Sequence, residues 1–250
     1  MDLGLSGRRV AVAAATAGLG RASAEALVAE GARVVLCGSN ADRAQAAAAE
    51  IGCEWLVADL SDPDGAEAFA RQAAATLGGL DVLVANGPGP APGTASSVTV
   101  QDYRTGVDRS LLAVIAMCLA ALPGMRARGW GRIVAITSLG VRQPYPNLAP
   151  SNAARAGVTG FLRTLAREVA ADGVTVNSVL PGLHETARVR SVYGDPGSPA
   201  LAEALTTIPA GRLGRPAELG AVVAFLCSQQ AAYLTGAAVP LDGGAYQGLL

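Results

Sequence analysis

Residues Arg9 to Gly38 read RVAVAAATAGLGRASAEALVAEGARVVLCG, and this stretch decides the fold. Val10 to Ala14 is an apolar run of strand length. It enters a turn ending in Gly18-Leu19-Gly20, passes into an amphipathic helix closed by Gly31, and continues into a second apolar strand, Val34 to Cys37. This order is a βαβ unit, whose two strands lie parallel. Glycines at its turn let the backbone approach a ligand closely. The helix that starts there directs unpaired N–H groups and a partial positive charge at whatever sits above it. A pyrophosphate suits that position, so a dinucleotide is expected across Thr16 to Gly20. A Gly-x-Gly can also simply end a strand; its place between strand and helix is what favours the ligand.

Outward from this unit the alternation continues. Strands are expected over Glu54 to Ala58, Leu80 to Ala85, Arg132 to Thr137, Thr175 to Leu180 and Ala237 to Leu241. Helices are expected over Ala41 to Glu50, Pro63 to Leu77, Thr99 to Arg128, Asn152 to Ala171 and Pro216 to Gln229. The loop Asn86-Gly87-Pro88-Gly89-Pro90 follows a strand's C-terminal end, where open parallel sheets bind ligands. From Thr186 to Leu213 the pattern loosens around one short helical stretch, as in a lid over a site. Apolar strands without alternation, joined by helices, predict a single α/β domain over residues 1–250: a doubly wound, Rossmann-like parallel sheet of about seven strands covered on both faces.

The 250-residue chain is long enough to bury a large core without a metal or disulfide. With 19 basic against 20 acidic residues, no basic surface points to nucleic acid, and a small molecule is the expected partner. Cys37, Cys53, Cys118 and Cys227 lack C-x-x-C spacing, so they read as buried thiols of a cytoplasmic protein, with no metal site. Arg8-Arg9 before an apolar run resembles a signal peptide, but that run serves as the first strand. No apolar segment is expected to reach the ~20 residues a membrane span needs.

The chain resembles the short-chain dehydrogenase/reductase family over nearly its whole length, and within it the 3-oxoacyl-ACP reductase-like members. The pieces that carry the resemblance are Gly18-Leu19-Gly20, Asp59-Leu60, the run Asp81 to Gly87, Ile136-Thr137-Ser138, the run Val176 to Gly182, Leu234-Thr235-Gly236 and Asp242-Gly243-Gly244. The resemblance implies NAD(P)-dependent oxidoreduction of a carbonyl or alcohol. It also implies that Asp59 and Leu60 contact adenine, that Asn86 and Gly87 line the cofactor, and that Pro181, Gly182 and Thr186 bracket the nicotinamide. It further implies a homotetramer, or a homodimer, paired through the Thr99 to Arg128 helix and the helix after Ser151. That second helix is rich in small residues.

Several positions depart from the family pattern. Its first glycine is Ala14 here. Gly38 and Ser39 stand where an acidic residue would hold a ribose hydroxyl, which allows NADP or NAD and slightly prefers NADP. The family carries a Ser, a Tyr thirteen residues later and a Lys four beyond that, with an Asn from the long helix. Ser138 fits, but the Tyr, Lys and Asn positions hold Ser151, Arg155 and Ser110. Arg155 keeps the cation and is expected to contact the nicotinamide ribose. Ser151 is the larger change, because an aliphatic hydroxyl is a much poorer acid than a phenol of pKa ~10. Tyr145 and His184 are the alternative proton donors, with Tyr193 behind them, and Arg142 is a candidate anion or acyl contact. The competing readings are a redox-neutral enzyme in the same fold (a lyase, cyclase or dehalogenase) and a catalytically silent ligand-binding subunit.

Overall fold

The structure, a computed structural model, describes residues 2–249. β1 (Arg9–Val12), α1 (Gly18–Ala29) and β2 (Arg33–Gly38) form the opening βαβ unit, followed by α2 (Ala41–Ile51), β3 (Glu54–Val57), α3 (Pro63–Leu77) and β4 (Val82–Ala85). Next come α4 (Val100–Val107), α5 (Ala113–Ala127), β5 (Gly131–Ile136), α6 (Ala149–Val169) and β6 (Val174–Pro181). Then α7 (Ala187–Tyr193), α8 (Pro199–Thr206), α9 (Pro216–Cys227) and β7 (Ala238–Leu241) complete the order. The strands form one parallel sheet in the order β3-β2-β1-β4-β5-β6-β7.

Successive side chains of a strand point to opposite faces, so each central strand feeds two cores. Ala11, Val35, Leu83, Ile133 and Val176 join Phe69, Met117 and Leu162 on the face covered by α3, α5 and α6. Val10, Leu36, Val84, Val134 and Val179 join Leu27, Leu219 and Val223 under α1, α2 and α9. The edges depart from this doubly covered pattern. In β3, Trp55 and Val57 are exposed, because no strand or helix lies beyond them. Cys53, before the same edge, is half-buried, while the other three thiols are buried as expected.

Three further expectations are corrected. The long helix is α4 and α5 joined by a π-helical turn, Asp108–Leu112, and Pro123 lies inside α5. The lid holds two short helices, α7 and α8, capped by Thr186 and Ser198 respectively. The stretch Val100–Ala127 is 28 residues long with a mean hydropathy of 1.8 in its most apolar window, so by length and composition it could cross a membrane. Charges near its start hide this in the sequence. In the fold, 44% of that window is buried, with Met117, Cys118 and Met125 in the core.

Ala14 has φ 49°, which makes it the one residue other than glycine with positive φ among those described. The Cβ of an L-residue crowds the backbone there, so an alanine costs what a glycine would not. Ala14→Gly is expected to stabilise the protein by about 1 kcal/mol, raising the Tm by roughly 2–4 °C for a chain of this size. Thermal unfolding of the two proteins checks this, and an unchanged or lower Tm would show that the turn is not strained.

Candidate active site

Strand order reverses between β1 and β4, and there the C-terminal ends of the strands open into a crevice. A cavity of about 550 Å³ fills it, running from Ala17, Gly18 and Leu19 above β1, past Asn86 and Gly87 after β4, to Ser138 after β5 and Pro181 to His184 after β6. Three side chains from separate elements meet at its inner end. Ser138 precedes a 3₁₀ turn and its Oγ accepts from the Gly140 amide at 3.0 Å. Ser151 lies in the first turn of α6, where Pro150 is tolerated because the early N–H groups have no helical partner. One turn on, Arg155 donates from Nε to Ser151 Oγ at 3.2 Å and from Nη1 to the Ile136 carbonyl at 3.0 Å. Its Nη2 makes no hydrogen bond among the described residues.

The other proton-donor candidates also line this cavity, with different prospects. Tyr145 is held by Asn152, whose Nδ2 donates to the Tyr145 carbonyl at 2.8 Å. Burial, then Tyr193 and Asp242, push its phenol up to about 12. His184 Nδ1 lies 3.2 Å from the Gly182 carbonyl, which can only accept, so Nδ1 carries the proton. Nε2 is then the bare nitrogen, buried and without a partner, with its ring against Gly214. Burial also lowers the His184 pKa, so the ring is neutral at pH 7 and has no accessible proton to give. Tyr193 lies farther out, in α7, its pKa raised by burial. Arg142 is elsewhere: it donates to the Ala238 carbonyl, lies over the Tyr246 ring and is not among the residues lining this cavity.

The other end of the cavity is lined by the turn into α1. Gly18 has φ 59°, a Cβ on it would stand 3.5 Å from the Thr186 methyl, and α1 begins after Ala17 without a side-chain cap. A Cβ on Gly20 would stand 2.4 Å from the Ala14 carbonyl oxygen and 2.9 Å from Asn86 Nδ2, so glycine is required for helix and strand to meet. Asn86 Nδ2 in turn donates to the Ala14 carbonyl at 3.3 Å. Thr16 fills the space beside Gly38, with its methyl 2.4 Å from where a Cβ would be. Asp59 is exposed and accepts from the Ser61 amide, and Thr16, Ser39, Asp59 and Leu60 lie outside the cavity lining. Ser110 Oγ is buried in the π-helical turn with no partner.

The profile for "Enoyl-(Acyl carrier protein) reductase" matches residues 13–246. The 3-oxoacyl-[acyl-carrier-protein] reductase of Escherichia coli K12 is 34% identical over 246 residues, 98% of this chain and 99% of that protein. The chain belongs to the short-chain dehydrogenase/reductase family. Solved members of the family share its whole architecture. An L-sorbose reductase from Gluconobacter frateurii, complexed with NADPH and L-sorbose, superimposes with a TM-score of 0.90 at 30% identity over all of both chains. A gluconate 5-dehydrogenase candidate from Beutenbergia cavernae, with bound NADP, gives 0.91 at 35% identity over 98% of this chain and 99% of that one. The protein is thus an oxidoreductase of the short-chain dehydrogenase/reductase type.

Two site residues escape sequence reasoning. Arg188, in α7, reaches back to the Pro90 carbonyl at 2.8 Å and lines the cavity. An arginine in a loose polar segment carries no local signal of that reach. Asn152, which positions Tyr145, reads in the sequence as one more polar residue at a helix start.

Proposed function

We propose that the protein is an NAD(P)-dependent oxidoreductase acting on a carbonyl or alcohol, with a modest preference for NADP and a rebuilt proton-donor site. The observation that carries this is the single cavity joining the glycine turn to Ser138, Ser151 and Arg155. The α1 N-terminus and Gly18 would hold the diphosphate, and Asn86, Pro181, Gly182 and Thr186 the nicotinamide half. When bound, the reduced nicotinamide supplies a hydride to the carbonyl carbon. Ser138 and Ser151 orient the carbonyl oxygen, and Arg155 is the fixed cation beside it, with Nη2 directed to a ribose hydroxyl. As the C–O double bond becomes single, the oxygen takes a proton from a water held by the two hydroxyls, and the hydroxide left behind is reprotonated by exchange with solvent water. A positioned phenol typically contributes about 10² to 10⁴ in rate, so reduction of simple ketones is slow here.

The test is oxidation of NADPH and NADH by a panel of ketones and β-ketoesters, with calorimetry for cofactor binding. Cofactor binding with measurable turnover of simple ketones, but below about 1 per second, supports the reading; rates of about 1 to 10³ per second would require another acid. Absence of binding by either cofactor would overturn it. The copies of the chain are proposed to pair through α5 and α6, where Leu112, Leu119, Gly157 and Gly160 are exposed.

Cofactor preference follows from Gly38. A carboxylate there would repel a 2′-phosphate, but its Cβ needs the space that the Thr16 methyl fills. Thr16→Ala with Gly38→Asp is expected to weaken NADPH relative to NADH by about tenfold or more, as like charges near a protein surface repel. Titration of both cofactors measures the ratio, and an unchanged ratio would place the ribose elsewhere.

A further inference from the structure

Resting on the oxidoreductase reading above, we infer that the substrate carries a carboxylate, received by Arg188 at the mouth of the same cavity. The cavity lining holds two guanidinium groups, Arg155 and Arg188, and no Asp or Glu. Burial first, and then the charge of Arg188, lower the Arg155 pKa to about 10. Burial alone lowers that of Arg188. Like charges in a partly desolvated space cost free energy unless a counter-ion joins them. Elsewhere in this protein arginines at hydrogen-bond distance from a carboxylate are common, as in Arg9 with Asp81, Arg21 with Glu25 and Arg212 with Glu218. At this site the chain supplies none, and the missing charge is left to the ligand.

Arg188 has the geometry to receive it. One of its nitrogens, Nη2, is committed to the Pro90 carbonyl at 2.8 Å, which fixes the guanidinium across the mouth between α7 and the loop after β4. Nε and Nη1 make no hydrogen bond among the described residues, so two donors remain for a carboxylate. Arg155 has one free nitrogen, and its other contacts, Ser151 and Ile136, tie it to the inner end. A substrate with its carbonyl at Ser138 and Ser151 and its carboxylate at Arg188 spans the cavity from floor to mouth. The cofactor diphosphate is the other source of negative charge near this residue, because Thr186 lies against Gly18 two residues earlier in the chain.

The experiment is calorimetric titration of the protein, with and without saturating NADP, by three carboxylates: 2-oxo-4-phenylbutanoate, 4-oxo-4-phenylbutanoate and benzoylformate. Each is paired with its ethyl ester, and wild type is compared with Arg188→Met and Arg188→Lys. At least one acid is expected to bind wild type about 10- to 100-fold more tightly than its ester, the range of a charge-assisted pair. Arg188→Met should remove that difference while leaving ester and NADP affinity unchanged, and Arg188→Lys should restore part of it. Equal binding of every acid and its ester would overturn the inference. So would loss of NADP affinity in Arg188→Met, which assigns the arginine to the cofactor, or an equal fall for acid and ester, which makes it a tether of α7. Carboxylate binding without any NADPH oxidation would leave this inference standing while the oxidoreductase reading fell.

Discussion

Ser151→Tyr combined with Arg155→Lys is expected to raise reduction of simple ketones by about 10² to 10⁴, the usual contribution of a positioned acid. Ser151 and Arg155 sit one helical turn apart on the cavity side of α6, and Arg155 Nε already bonds Ser151 Oγ. A phenol from position 151 would enter a cavity of about 550 Å³, next to a cation and across from Ser138. A nearby cation favours the phenolate and so lowers the tyrosine pKa from ~10 toward neutrality. Ser151→Tyr alone should gain less, because the guanidinium is held by the Ile136 carbonyl rather than free to turn to the new oxygen. Steady-state kinetics on a β-ketoester, with circular dichroism to confirm folding, provide the measurement. A folded double variant no faster than wild type would mean that proton donation does not limit the wild-type rate.

The second large effect is expected from one methyl group. Gly20→Ala places a Cβ 2.4 Å from the Ala14 carbonyl oxygen and 2.9 Å from Asn86 Nδ2. Neither can retreat: the oxygen is backbone in the turn just after β1, and the amide already donates to it. α1 must therefore move away from the sheet, at a cost of about 1–3 kcal/mol for overpacking. Its N-terminus moves with it, so the N–H groups lose their aim at the diphosphate. NADPH affinity should fall by roughly tenfold or more, a loss of about 1.4 kcal/mol per decade, and more than stability alone would account for. Calorimetry at a temperature where the variant remains folded separates the two effects. Unchanged affinity would show that the diphosphate does not rest on this turn.

The contrast between Arg142 and Arg188 shows where reading the chain succeeds and where it stops. Val10 to Cys37 announces strand, turn and helix because period and glycine placement are local properties, set by sterics between near neighbours. Ser138, Ser151 and Arg155 are legible for a related reason: each sits at a fixed offset from a strand end or helix start, and strand ends in a doubly wound sheet face one crevice. Arg142 was the arginine nearest to Ser138 in sequence, yet it turns to the Ala238 carbonyl and Tyr246. Arg188, far along the chain, arrives at the cavity because α7 folds back over the loop holding Pro90. His184 follows the same rule. The loop after β6 brings it to the cavity lining, but only packing against Gly214 decides that its free nitrogen is buried without a partner.

By itself the sequence determined the class of sheet, the place of its switch point, the helix that starts at the glycine turn, and the serines and arginine that line the crevice. These follow from patterns repeated within one element, where each residue's environment depends on its immediate neighbours. The tertiary structure alone decided the positive φ of Ala14, the π-helical turn at Ser110, the tautomer of His184 and the union of Arg155 with Arg188 in a cavity without acids. Each of these depends on groups distant in sequence that compete for the same space or the same hydrogen bond, and such competition is settled only when the elements have packed.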